Sequence, residues 1–172
     1  NSLTSGFVSW HHDNGTTEYI SGDHHHIGIE SNDGSLNIKG NLTLKDNSTI
    51  RLNYADVSLG NLTLENGNIA TNEGTLSLAG GTVGANGKIN VGHKTDFDLR
   101  GDLAVEGTLN LDNESSLKLA GNTLDLSGGK LSTVADQTLN GTLSITADSE
   151  LSVSDNYTLT LSQAGGLPLG AN

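Results

Sequence analysis

The phrase Gly40-Asn41-Leu42-Thr43-Leu44 returns unchanged at Gly60-Asn61-Leu62-Thr63-Leu64, a shift of 20 residues. A fixed period of this size marks a repeat architecture, in which one short structural unit stacks on the next. From Leu36 onward the chain keeps that beat with alternating apolar-x-apolar pairs such as Leu36/Ile38, Leu42/Leu44 and Ile50/Leu52. Alternation with a period of two means a β-strand with one buried face. Gly, Asn, Asp and Ser, the residues that turn a chain, stand between the pairs.

Successive pairs are mostly 6 to 8 residues apart, and every third pair is separated by 19 to 22. Sorting by threes gives three columns. Column one holds Leu36, Val57, Leu76, Phe97, Leu117, Leu139 and Leu159; column two holds Leu42, Leu62, Val83, Leu103, Leu124 and Leu143. Column three holds Ile50, Ile69, Ile89, Leu109, Leu131 and Leu151. Aliphatic columns of this kind predict an all-β fold, a single-stranded parallel β-helix with three short strands per coil of about 20 residues. Parallel crossovers are right-handed, which sets the expected hand. A sandwich of hairpins would need longer strands, about 5 to 6 residues, and would not generate three columns.

The expected organisation is an atypical N-terminal cap or connector over residues 1–33, the β-helix over 34–162 and a C-terminal tail over 163–172. The first segment carries Phe7 and Trp10, large enough to cover the open end of a solenoid core, where terminal repeats depart from the pattern. In the last segment Gly165-Gly166 and Pro168 stop the strand alternation.

Composition narrows the function. Apolar residues make up 33% of the chain, thin for a globular core but enough for a narrow solenoid interior. A net charge of −12 argues against nucleic acid and against an anionic membrane surface, since contacts to phosphate need cations. No apolar run reaches the ~18 residues of a membrane span, so direct membrane insertion by a helix is not expected. With no cysteine, no disulfide can form.

Residues between the two members of each pair point outward and line up in rows. These rows place Asp98 beside Lys118 and Asn90 over Asn110, an ion pair and a short amide ladder. In column two Thr43 and Thr63 are followed by Gly84 and Ala104. No row gathers two carboxylates on adjacent coils, as sugar hydrolysis requires, so catalysis is not expected and no catalytic residue is assigned. The remaining oddity is a histidine-rich stretch. His11, His12, His24 and His26, with Asp13, Glu18, Asp23 and Glu30 near them, are the candidate ligands for a divalent metal. Recognised ligand spacing is absent there, and no other cofactor is expected.

The Gly-Asn-Leu-Thr-Leu and Gly-Thr-Leu-x-Leu phrases at 40, 60, 74, 107 and 141 resemble the passenger β-helices of bacterial autotransporters and haemagglutinin-like adhesins. That resemblance implies an extracellular or bacterial cell-surface location and a part in adhesion, aggregation or display. The expected function is therefore a structural or adhesive solenoid whose partner is itself, as a homo-oligomer or filament, or a cell-surface glycan or protein. The alternatives are a carbohydrate-binding or carbohydrate-active β-helix and a phage-type spike or fibre.

Overall fold

The computed structural model describes the backbone of residues 8–13, 22–25, 27–32, 35–164 and 167, with side chains from residue 35 onward except Lys39. Every described element is a strand: β1 (Val8–Asp13), β2 (Gly22–His25), β3 (Ile27–Asn32), β4 (Ser35–Lys45), β5 (Ser48–Leu78) and β6 (Gly81–Val91). Shorter strands follow: β7 (Thr95–Leu99), β8 (Leu103–Val105), β9 (Thr108–Leu111), β10 (Ser116–Lys118) and β11 (Thr123–Ser127). The last are β12 (Lys130–Thr133), β13 (Gln137–Leu139), β14 (Thr142–Ala147), β15 (Glu150–Val153) and β16 (Leu159–Leu161).

All pairings between them are parallel, and partners lie about one repeat apart: Leu42 opposes Leu62, Ile69 opposes Ile89, and Leu131 opposes both Leu109 and Leu151. Parallel strands one repeat apart are the signature of a solenoid, with three strand positions to each coil of about 20 residues. The first half departs from three separate short strands. In β5 the ladder runs through the corners at Tyr54 and Glu73, both with positive φ, so strand positions that are distinct further on merge into 31 residues.

The interior is one stack of aliphatic side chains from Leu36 to Leu143, with Phe97 the largest of those fully buried. Ile145, Leu151, Leu159, Leu161 and Leu167 pack against it but are only partly buried, because no further described coil lies over them. Upstream, the backbone ladder continues: β3 pairs with β5, β1 pairs with β3, and β2 pairs with β4. How residues 1–33 cover the core lies outside the described residues, as their side chains do.

Two registers differ from the sequence reading. Val83 opposes Leu64 and Val105, not Leu62 and Leu103, and Gly81 takes the first inward position of that coil. The outward row of column two is therefore Thr43, Thr63, Thr82 and Ala104, and Gly84 is not in it. In column one Leu139 opposes Leu161, and Gln137 opposes Leu159. The outward pair there is Thr138 with Thr160, not Asn140 with Thr160. Both errors have one cause. A single apolar residue carries no parity, so it fits either inward position of a strand that has a glycine or glutamine at the other.

Gln137 explains how such a coil holds. It is 3% exposed, and its Oε1 accepts from the Leu117 backbone N–H at 3.0 Å while Nε2 donates to the Ser115 carbonyl at 3.0 Å. The side-chain amide thus stands in for a strand between β10 and β13, where no backbone ladder forms. A buried backbone group without a partner is costly. Gln137→Leu is expected to lower stability by about 2 kcal/mol, because it strands both groups while adding apolar contact. Chemical denaturation would measure this; an unchanged midpoint would mean that backbone relaxation satisfies Leu117 and Ser115 without the amide.

The corners explain the glycine content. Between columns one and two stand Gly40, Gly60, Gly81, Gly101, Gly121 and Gly141. A Cβ at Gly60 would collide with the carbonyl oxygen of Gly40, and one at Gly101 with that of Ala79. Coils approach each other there by backbone alone, which is why a repeat of about 20 residues can close.

Candidate functional surfaces

The outward row of column three carries the longest side-chain network. Asn90 Nδ2 donates to Asn68 Oδ1 at 2.8 Å, Asn110 Nδ2 donates to Asn90 Oδ1 at 2.8 Å, and Ser132 Oγ donates to Asn110 Oδ1 at 2.6 Å. The expected contact between Asn90 and Asn110 is present, and Asn68 and Ser132 extend it. An amide both donates and accepts, so identical residues on successive coils satisfy one another. The ladder uses the polar atoms that would otherwise be offered to a ligand, which makes it a structural feature.

Column one carries the charge cluster. Lys118 Nζ lies 3.3 Å from Asp96 Oδ2 and 3.7 Å from Asp98 Oδ1, and Ser116 Oγ donates to Asp96 Oδ1. The Asp98–Lys118 contact is the one expected from the stacking; Asp96 joins it because it lies two residues before Asp98 on the same face of β7. The Ser116 hydrogen bond, with Lys118 beside it, holds the Asp96 carboxyl below its ordinary range, and Asp96 chiefly raises Lys118. Those directions oppose acid–base catalysis near neutral pH, which needs a carboxylate raised or a lysine lowered. Exposed pairs of this kind contribute at most ~1 kcal/mol.

Two shallow depressions mark the surface. One of about 470 Å³ follows the corner between columns two and three and is lined by Glu106, Gly107, Lys130, Asp148, Ser149 and Glu150. Lys130 is tied there to Glu150 at 2.6 Å. The other, about 410 Å³, crosses column one and is lined by Asn37, Asp56, Ser58, Thr75, Ser77 and Arg100 among others. Arg100 reaches back two coils, donating to Ser58 Oγ at 2.8 Å and the Leu59 carbonyl at 3.0 Å. Stacking of neighbours does not reveal this contact, since it skips a coil.

Among the described residues no group of three or more His, Cys, Asp or Glu is placed to hold a metal ion. The candidate ligands fall elsewhere: His26 and the side chains of His11, His12 and His24 lie outside the described residues. The backbone puts His11 and His12 on β1 in column three, opposite Glu30 and Ser31, and His24 on β2 in column two, opposite Leu44. No helix among the described residues is long and apolar enough to cross a membrane, which says nothing of a strand-built barrel.

The C-terminal end of the solenoid has a distinct construction. Gln163 Oε1 accepts from the Leu143 N–H at 2.6 Å, and Gln163 Nε2 donates to the Leu143 carbonyl at 3.2 Å. This repeats the device of Gln137, but on the last strand of column two, where it occupies the position that a further coil would take. In column three, among the described residues, β15 pairs only with β12. Comparison of the chain with protein-family models, curated proteins and solved structures finds no match.

Proposed function

We propose that the chain is a structural β-solenoid of an extracellular or bacterial cell-surface protein, acting by self-association and without catalysis. The observation that carries this reading is the last coil. Ile145, Leu151, Leu159 and Leu161 are only partly buried, Val153 is 36% exposed, and the strand edge of β15 lacks a described partner. Open strand edges beside apolar surface are templates for another chain. The charge cluster on column one is mutually neutralised and the amide ladder mutually satisfied, which favours a scaffold over an enzyme. The likeness of the Gly-Asn-Leu-Thr-Leu phrases to autotransporter passengers and haemagglutinin-like adhesins supports the surface location.

Light scattering and electron microscopy of the full chain across a concentration series test the reading. Oligomers or filaments that grow with concentration are expected. The net charge of −12 opposes association, so raising salt from about 0.01 to 0.15 M, which shortens the screening length from about 30 to 8 Å, should strengthen it. A monodisperse monomer under all these conditions would overturn the proposal. The Arg100 depression supports a second reading, a glycan-binding module, because hydroxyl and amide groups of Asn37, Ser58, Thr75 and Ser77 surround one guanidinium and the Asp56 carboxylate. Glycan binding abolished by Arg100→Ala would favour it.

A further inference from the structure

We infer that the edge of β15 is the docking site for a second copy of this chain, which adds its own β1 there and continues column three from one molecule into the next. The inference rests on the self-association reading and specifies its geometry.

The backbone shows which groups are available. The N–H of Glu150 donates to the Gly129 carbonyl and that of Ser154 to the Thr133 carbonyl, both on the preceding coil. Neighbouring residues of a strand point their N–H and C=O to opposite sides. Leu151 and Val153 therefore direct theirs away from the preceding coil, toward the next level, where no described strand lies. Column two differs at this end, because Gln163 already holds the corresponding groups of Leu143. The glutamine closes one edge and leaves the other.

The opposite end of the molecule carries the complementary edge. β1 pairs with β3 on one side, and among the described residues nothing pairs with it on the other. β1 belongs to column three, since β1 opposes β3 and β3 opposes the Ile50 strand of β5. It has the same parallel direction as every other strand of that column. A second copy translated along the solenoid axis thus presents β1 to β15 as one coil presents its strand to the next. Following the register along the column puts Ser9 opposite Glu150 and Trp10 opposite Leu151. The new contact would also cover the partly buried apolar side chains of the last coil. Joining opposite ends of one molecule is a heterologous contact that does not close on itself, so it builds a filament.

Two variants of the full chain test this docking. The natural sequence has no cysteine, so Ser9→Cys combined with Glu150→Cys introduces the sole thiols. Within one molecule the two positions are seven coil steps apart, roughly 34 Å at the spacing of adjacent strands, too far for a disulfide. Across the inferred contact they are adjacent strand neighbours, within the roughly 4.4–6.8 Å that a disulfide spans. Mild oxidation should give a ladder of covalent multimers on a denaturing gel. Val153→Pro removes an N–H that the molecule's own fold does not use and puts the ring on the free edge, where proline is tolerated. It should leave the melting temperature close to that of the natural chain and reduce filament mass at least tenfold.

If the natural chain assembles while the double-cysteine form stays uncross-linked under oxidation, the β15 docking is overturned and self-association stands. If the natural chain is a monomer throughout, both are overturned. Cross-linked multimers support the docking even where Val153→Pro fails to fold.

Discussion

Leu109→Asp is expected to abolish folding. Leu109 is fully buried in the middle of column three, between Ile89 on one coil and Leu131 on the next. Losing its apolar burial costs about 2 to 5 kcal/mol, as a Leu→Ala change would. A carboxylate at that position adds several kcal/mol more, because no cation or donor set faces it. The total is comparable to the whole stability of an ordinary domain, about 5–15 kcal/mol. Circular dichroism should show lost β-structure for Leu109→Asp and a lowered but cooperative melt for Leu109→Ala. Native β-content and an unchanged melting temperature in the aspartate variant would contradict the column.

A second large loss is expected from adding one methyl group at a corner. In Gly60→Ala the new Cβ would strike the Gly40 carbonyl, a backbone atom that has no rotamer to escape into. Relief requires the coils to separate, which breaks ladder hydrogen bonds on both sides of the corner, so a loss of about 3 kcal/mol or more is expected. Gly121→Ala is the discriminating control. Its φ is +85° but nothing lies within 4 Å of the added Cβ, so it should lose about 1 to 2 kcal/mol from backbone strain alone. Equal losses from the two variants, read by denaturant midpoints, would show that conformation, not the approach of the coils, sets the glycine requirement.

These residues show where a repeat can be read and where it fades. Column three was legible throughout because Ile50, Ile69, Ile89, Leu109, Leu131 and Leu151 keep their register, and stacking then put Asn90 over Asn110 and Asp98 beside Lys118. Val83 and Leu139 were misplaced by two residues because Gly81 and Gln137 hold inward positions without being apolar. Gln137 belongs inside because of hydrogen-bond geometry, and hydrophobic periodicity does not report it. Arg100 clasps a coil two levels away, and Gln163 seals an edge from beyond the last strand. Both depend on side-chain reach, which leaves no trace in spacing.

The parallel registers also have a mechanical consequence. In a ladder the hydrogen bonds run perpendicular to the strands, and here the strands wind around the long axis, so the bonds lie along it. Tension applied at the two ends loads the coil-to-coil contacts in series, each one carrying the full force. A solenoid gains stability from contacts between neighbouring repeats, so the weakest contact yields first and the rest hold. Under load such a rod would lengthen in steps of one turn, spending work at every step, and would absorb a pull gradually where a sheet loaded along its strands would resist and then snap.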